Sequence, residues 1–173
     1  MMCKNVQVRI PGVSDIRFFL FVAVFALAGA RNASAQTATQ TVTFQVTAIN
    51  QLGVTGAPSL IVNTAVAGSP PTSATSAGNT WAVTCNQTTA KVTASIPSVM
   101  PVGLTLSANL AAPAGATSAG LIALGVAATD MVTGITKLNA SGLGLTYQLD
   151  ATAAAGVVPS STRVVTYTIT GGT

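Results

Sequence analysis

From residue 36 onward this chain has no histidine, no glutamate and a single cysteine, Cys85; its only charged side chains are Lys91, Lys137, Arg163, Asp130 and Asp150. General acid–base pairs, nucleophilic triads and metal cages are built from those scarce types. The chain is therefore not expected to be an enzyme, and no catalytic, cofactor-binding or metal-ligating residue is expected. Aromatic residues are also few, Phe44, Trp81, Tyr147 and Tyr167 being all that follow residue 35. Four is too few to both pin a core and pave a sugar-stacking face. The formal net charge of +4 belongs mostly to the first 35 residues, which hold Lys4, Arg9, Arg17, Arg31 and Asp15. The three later cations stand singly, so no phosphate-binding stripe forms and no nucleic-acid partner is expected.

The first 35 residues have the layout of a signal peptide. Lys4, Arg9 and Arg17 give a basic start, residues 18–30 form an apolar run, and Ala33-Ser34-Ala35 offers small residues to a signal peptidase. Thirteen apolar residues rise only about 20 Å as a helix, short of the roughly 30 Å hydrocarbon core, so no stable membrane insertion of the exported chain is expected. Ala28-Gly29-Ala30 is an alternative cleavage site, and Leu27-Ala28-Gly29 resembles the start of a lipoprotein signal. The next residue is Ala30, not the cysteine that lipidation requires. Export to the periplasm, the cell surface or the extracellular medium is expected, with residues 1–35 removed and residues 36–173 forming one domain. Cys3 leaves with the leader, so the exported chain holds no intrachain disulfide even where one would persist.

About 138 residues remain, enough for one core that buries roughly two thirds of the unfolded chain's surface. Apolar and polar residues alternate strictly over Thr41 to Ala48, setting Val42, Phe44, Val46 and Ala48 on one face and the threonines on the other. The same two-residue period recurs over residues 81–85, 91–96, 104–107, 143–150 and 165–170. Residues 59–66, 121–126 and 131–135 are less regular candidates. Gly56-Ala57-Pro58, Gly68-Ser69-Pro70-Pro71, Pro97 and Pro101-Val102-Gly103 punctuate these runs at short intervals. The low-complexity stretch at residues 68–78 reads as an exposed loop, as do the alanine-rich residues 111–119 and 151–156. The pattern predicts an all-β fold: a single antiparallel β-sandwich, immunoglobulin-like or jelly-roll-like, of about eight short strands.

Individual residues mostly have plain structural readings. Trp81 shares its strand face with Val83 and Cys85, so it is expected as a core pin with Cys85 buried beside it. Tyr147 and Tyr167 align with Leu145, Leu149, Val165 and Ile169, which places their rings in the core and their hydroxyls at its rim. A glycosidase would need Asp130 and Asp150 as its carboxylate pair, yet nothing in the sequence brings them together. Lys91 and Lys137, with Asn86 or Asn139 and an aspartate, contain the ingredients of a Lys–Asn isopeptide cross-link, without any spacing rule that selects them. Asn86-Gln87-Thr88 and Asn139-Ala140-Ser141 match the glycosylation acceptor pattern, which chance also produces often.

The alternating Thr41–Ala48 segment, the short-strand layout and the closing Val165-Thr166-Tyr167-Thr168-Ile169-Thr170 together make residues 36–173 resemble secreted immunoglobulin-like or pilin-like domains of bacteria. The resemblance is one of layout without a diagnostic motif, so it carries over no functional residue. It implies a non-catalytic structural or surface component, as a homo-oligomer or surface assembly. An adhesin or binding module that recognises an extracellular polymer through its loops is the alternative. Strand addition needs an alternating segment at a free sheet edge, and Thr41–Ala48 with its polar tail Gln36–Gln40 supplies that pattern. Mass spectrometry of the exported protein is expected to find Gln36 at its start, and a mature pool retaining Met1 would contradict the reading.

Overall fold

The computed structural model describes residues 35–172, so the expected signal peptide lies outside the described residues except for Ala35. The chain divides into two units, Met1–Phe44 and Gln45–Thr173. Of the first, residues 35–44 are described and carry no regular secondary structure. The second holds two antiparallel sheets packed together, the all-β sandwich that the alternation predicts.

Its strands are β1 (Asn50–Thr55), β2 (Ala74–Cys85), β3 (Ala90–Ser95), β4 (Leu104–Leu110), β5 (Thr117–Ser118), β6 (Ile122–Ala123), β7 (Thr129–Ile135), β8 (Leu138–Ala151) and β9 (Thr166–Thr170). One sheet has the order β1-β2-β8-β4-β6 and the other β5-β7-β3-β9. Residues 81–85, 91–95, 104–107, 143–150 and 166–170 are strands as their periodicity predicts, and the less regular candidate 131–135 is a strand as well. Trp81, Val83 and Cys85 face inward from β2, Val92 and Ala94 from β3, Leu106, Ala108 and Leu110 from β4, and Met131 and Ile135 from β7. Trp81 is 1% exposed, and its indole Nε1–H donates to the Ala111 carbonyl at 3.1 Å. The core therefore fixes its largest side chain by packing and by satisfying its one polar group.

Three expectations are corrected outright and two in part, since β5 lies inside the expected loop at residues 111–119 and only β6 is strand within residues 121–126. Thr41–Ala48 is not a strand, since it makes no strand pairing among the described residues and Val42, Phe44 and Val46 are 72%, 90% and 78% exposed. The reason is that β1 occupies the edge beside β2, with Asn50 opposite Cys85 and Thr55 opposite Thr80. Residues 59–66 likewise form no strand beyond an isolated bridge between Ala65 and Pro71. Conversely, the expected loop at residues 68–78 ends inside β2, whose Ala74–Ser76 pairs with Leu149–Tyr147 of β8. A register shift between Ser76 and Asn79 absorbs Gly78, whose φ of 84° is the left-handed geometry a bulge asks of glycine. Asn79 Nδ2 donates to Ser76 Oγ at 3.0 Å, so the polar side chains buried there satisfy each other.

Cys85 is a free thiol and 3% exposed. Its Sγ accepts from the Gln87 N–H at 3.4 Å and donates to the Gln87 carbonyl at 3.6 Å. Thiol alkylation of the native protein is expected to stay slow until denaturant is added. Cys85→Ser should lower stability by about 1–3 kcal/mol, toward the smaller figure because Gln87 offers the hydroxyl both partners. Rapid labelling of the folded chain would contradict the buried placement, and urea melts measure the cost.

Candidate functional site

The few charged groups do not gather. Lys91 and Asp130 form an exposed ion pair at 2.9 Å across β3 and β7. Asp150 sits on β8 in the other sheet, where it accepts from Ser73 Oγ and from Gln148 Nε2 at 2.9 Å. The two carboxylates thus belong to separate networks, and the pair a glycosidase requires is not assembled. Among the described residues no three His, Cys, Asp or Glu side chains group as metal ligands. No described helix is long and apolar enough to cross a membrane.

What the sandwich does build is a cleft of about 970 Å³ at one end. Its floor is the inner face of the sheets, made by Leu104 and Leu106 of β4, Tyr147 and Leu149 of β8, and Tyr167 of β9. Its walls are two long connections, residues 58–65 and 155–165, which lack strand pairing over most of their length. Gly103 permits the close approach at the floor's rim. Its φ is 77°, and a Cβ there would lie 2.5 Å from the Ala155 amide nitrogen. The Thr152 N–H donates to the Gly103 carbonyl at 2.8 Å, so β8 and the 3-10 turn Ala153–Ala155 are held against the start of β4.

Polar groups in the cleft are few and specific. The Tyr167 hydroxyl donates to the Tyr147 hydroxyl at 2.9 Å. Burial, then that hydrogen bond, then repulsion from Tyr147 hold the Tyr167 phenol well above the usual tyrosine range. Arg163 is the one charged side chain lining the cleft. Its Nη1 donates to the Thr162 carbonyl at 3.0 Å, while its buried Nε has no partner.

A smaller recess lies at the opposite end, lined by Thr47, Asn86, Gln87 and Lys137 among others. There the Asn86 side chain works as a clamp on the backbone that leads into β1. Its Nδ2 donates to the Thr47 carbonyl and its Oδ1 accepts from the Ile49 N–H, both at 2.7 Å. The Asn86 N–H also donates to the Ile49 carbonyl at 3.2 Å. Asn86 and Lys137 share the recess, but neither aspartate lines it, so the isopeptide ingredients come together without their acid. The acceptor pattern and the cross-link ingredients are the sequence signals at Asn86, and neither points to a backbone clamp.

The expected core aromatics sit where alternation places them, Trp81 and Tyr147 buried and Tyr167 half-buried. Phe44 is the exception, fully presented to solvent. Comparison with protein-family models, curated proteins and solved structures finds no match for this chain.

Because the folded Tyr167 phenol ionises above its unfolded value near 10, the unfolded chain releases protons first as pH rises. Stability carried by this group is full below pH 10 and declines above it. Tyr167→Phe is expected to flatten that alkaline decline while costing about 1 kcal/mol at neutral pH from the lost hydroxyl pair. Thermal melts between pH 8 and 11.5 measure both effects, and an unchanged alkaline slope would contradict the assignment.

Proposed function

We propose that this chain is an exported, non-catalytic structural component that assembles with copies of itself by adding a β-strand to a neighbour's sheet. The observation that carries this reading is the exposure of Val42, Phe44 and Val46 at 72%, 90% and 78%. Scattered apolar side chains on a surface need no explanation, but three on one face of a single alternating segment do. Full burial of each would contribute about 1.5–3 kcal/mol. Association costs on the order of 4–15 kcal/mol, so side chains alone are marginal and a backbone ladder is needed as well. Export rests on the layout of residues 1–35, and the non-catalytic character on the missing residue types.

The end cleft favours a second reading, a binding module that grips an extracellular polymer between its loops. A mostly apolar hollow with few polar groups is the usual form of a ligand site. It ranks second because its walls hold one charged residue, Arg163, and no exposed aromatic platform.

The test is light scattering of the chain beginning at Gln36 over a concentration series, beside Phe44→Ser. Phe44 lies outside the core, so the variant should fold normally. The unsubstituted chain is expected to grow in mass with concentration with little response to salt, since residues 36–49 carry no charge. Phe44→Ser is expected to remain monomeric. A strictly monomeric unsubstituted chain would overturn the assembly reading and promote the binding module.

A further inference from the structure

We infer that the acceptor for this assembly is the outer edge of β9 together with the end cleft beside it, and that the occupant is Thr41–Ala48 of a second copy. The inference rests on the assembly reading above and adds where the incoming strand lies.

Four observations select this place and this occupant. First, β9 ends its sheet and pairs only with β3, from Lys91 opposite Thr170 to Ser95 opposite Thr166. Alternate N–H and C=O groups on its other side have no strand partner among the described residues. β5 and β6, which lie toward the other side of the sandwich, are two residues each and too short to template a strand, which leaves β9 and the neighbouring six-residue β1 as the long edges.

Second, the faces match. Tyr167 and Ile169 of β9 turn inward and are only half-buried, while Thr166, Thr168 and Thr170 face solvent. Thr41–Ala48 repeats that division, with valines and Phe44 on one face and Thr41, Thr43, Gln45 and Thr47 on the other. Laid along β9, it would continue the threonine face outward and the apolar face inward. Neither strand carries a charge or a proline to oppose pairing.

Third, the lengths suit. Eight extended residues span about 27 Å, whereas the five of β9 span about 17 Å. The excess reaches past Val165 into the cleft, where Leu104 and Leu149 are partly exposed to an apolar side chain.

Fourth, Asn86 sets the chain's own segment against closing on itself. The cleft lies at the Val54 end of β1, whereas the segment enters β1 at the Asn50 end. A return to its own β9 would require the chain to reverse at Thr47–Ile49, where the Asn86 clamp fixes the backbone. A second copy meets no such restriction. Donor and acceptor are different surfaces of one chain, so the contact is heterologous and joins copies head to tail, in a ring where the rotation closes and in an open row where it does not.

Hydrogen exchange followed by mass spectrometry, on the chain from Gln36 to its end at low and high concentration, tests this. The amides of Thr41–Ala48 and of β9 are expected to gain protection together as concentration rises. In Phe44→Asp both gains should disappear at matched concentration, with assembly weakened by at least about tenfold and core protection in β2 and β8 unchanged. Protection of Thr41–Ala48 with β1 in place of β9 would overturn the acceptor and leave assembly standing. Equal protection at every concentration in a monomer would show pairing within one chain and overturn the second copy as occupant. No protection of the segment at any concentration would remove both this inference and the reading beneath it.

Discussion

The antiparallel ladder between β2 and β8 is the constraint on which the sandwich depends. Twelve residues of one strand face fourteen of the other, from Ala74 opposite Leu149 to Cys85 opposite Leu138. β1 has its place because β2 has an outer edge, and β4 because β8 has one. The ladder also delivers Trp81, Val83, Cys85, Leu145 and Tyr147 to the inner face, where the second sheet closes over them. With one described ion pair, exposed and worth little, and no disulfide within residues 36–173, cohesion must come from this apolar layer and its backbone bonds. A flaw in the ladder would therefore be felt in both sheets.

The two ends of the sandwich differ because their connections differ. At the Cys85 end the links are short, and Asn86, Gln87 and Lys137 tie neighbouring turns by main-chain bonds. Lys137 takes a positive φ of 42° there, as the tight link between β7 and β8 demands. At the other end the chain runs for long stretches between β1 and β2 and between β8 and β9. Those stretches are too irregular to complete the sheets, and the cleft is the space they leave uncovered. One fold thus offers a closed end beside the entry to β1 and an open end beside the start of β9.

Alternation made β3, β4, β8, β9 and the second half of β2 legible before any coordinates, whereas β7 showed only as an irregular apolar run because Met131 and Val132, adjacent in sequence, are both buried. It failed in both directions where a partner, and not a pattern, decides. Thr41–Ala48 has the cleanest period in the chain and no strand partner among the described residues; Asn50–Thr55, with Gly53 in its middle, has little period and becomes β1 because it runs against β2. The polar Ala74–Asn79 was hidden for the same reason, since its strand character comes from β8. The cleft was not legible at all, being made by two connections that are distant in sequence and meet only through the fold. Tyr147 and Tyr167 were readable as half-core residues, but their mutual hydrogen bond depends on sheets that the sequence does not register against each other.

The scarcity of basic side chains has a consequence for digestion by proteases. An enzyme that cuts after lysine or arginine finds three such bonds beyond residue 36. One follows Lys91, inside β3 with strands on both sides; another follows Lys137, in the tight turn whose backbone is bonded to Gln87. Neither can enter a protease without local opening of the sheet. Only the bond after Arg163 lies on an irregular exposed connection, so digestion by such enzymes is funnelled to the wall of the cleft, the part of the molecule where a bound strand or ligand would shield it.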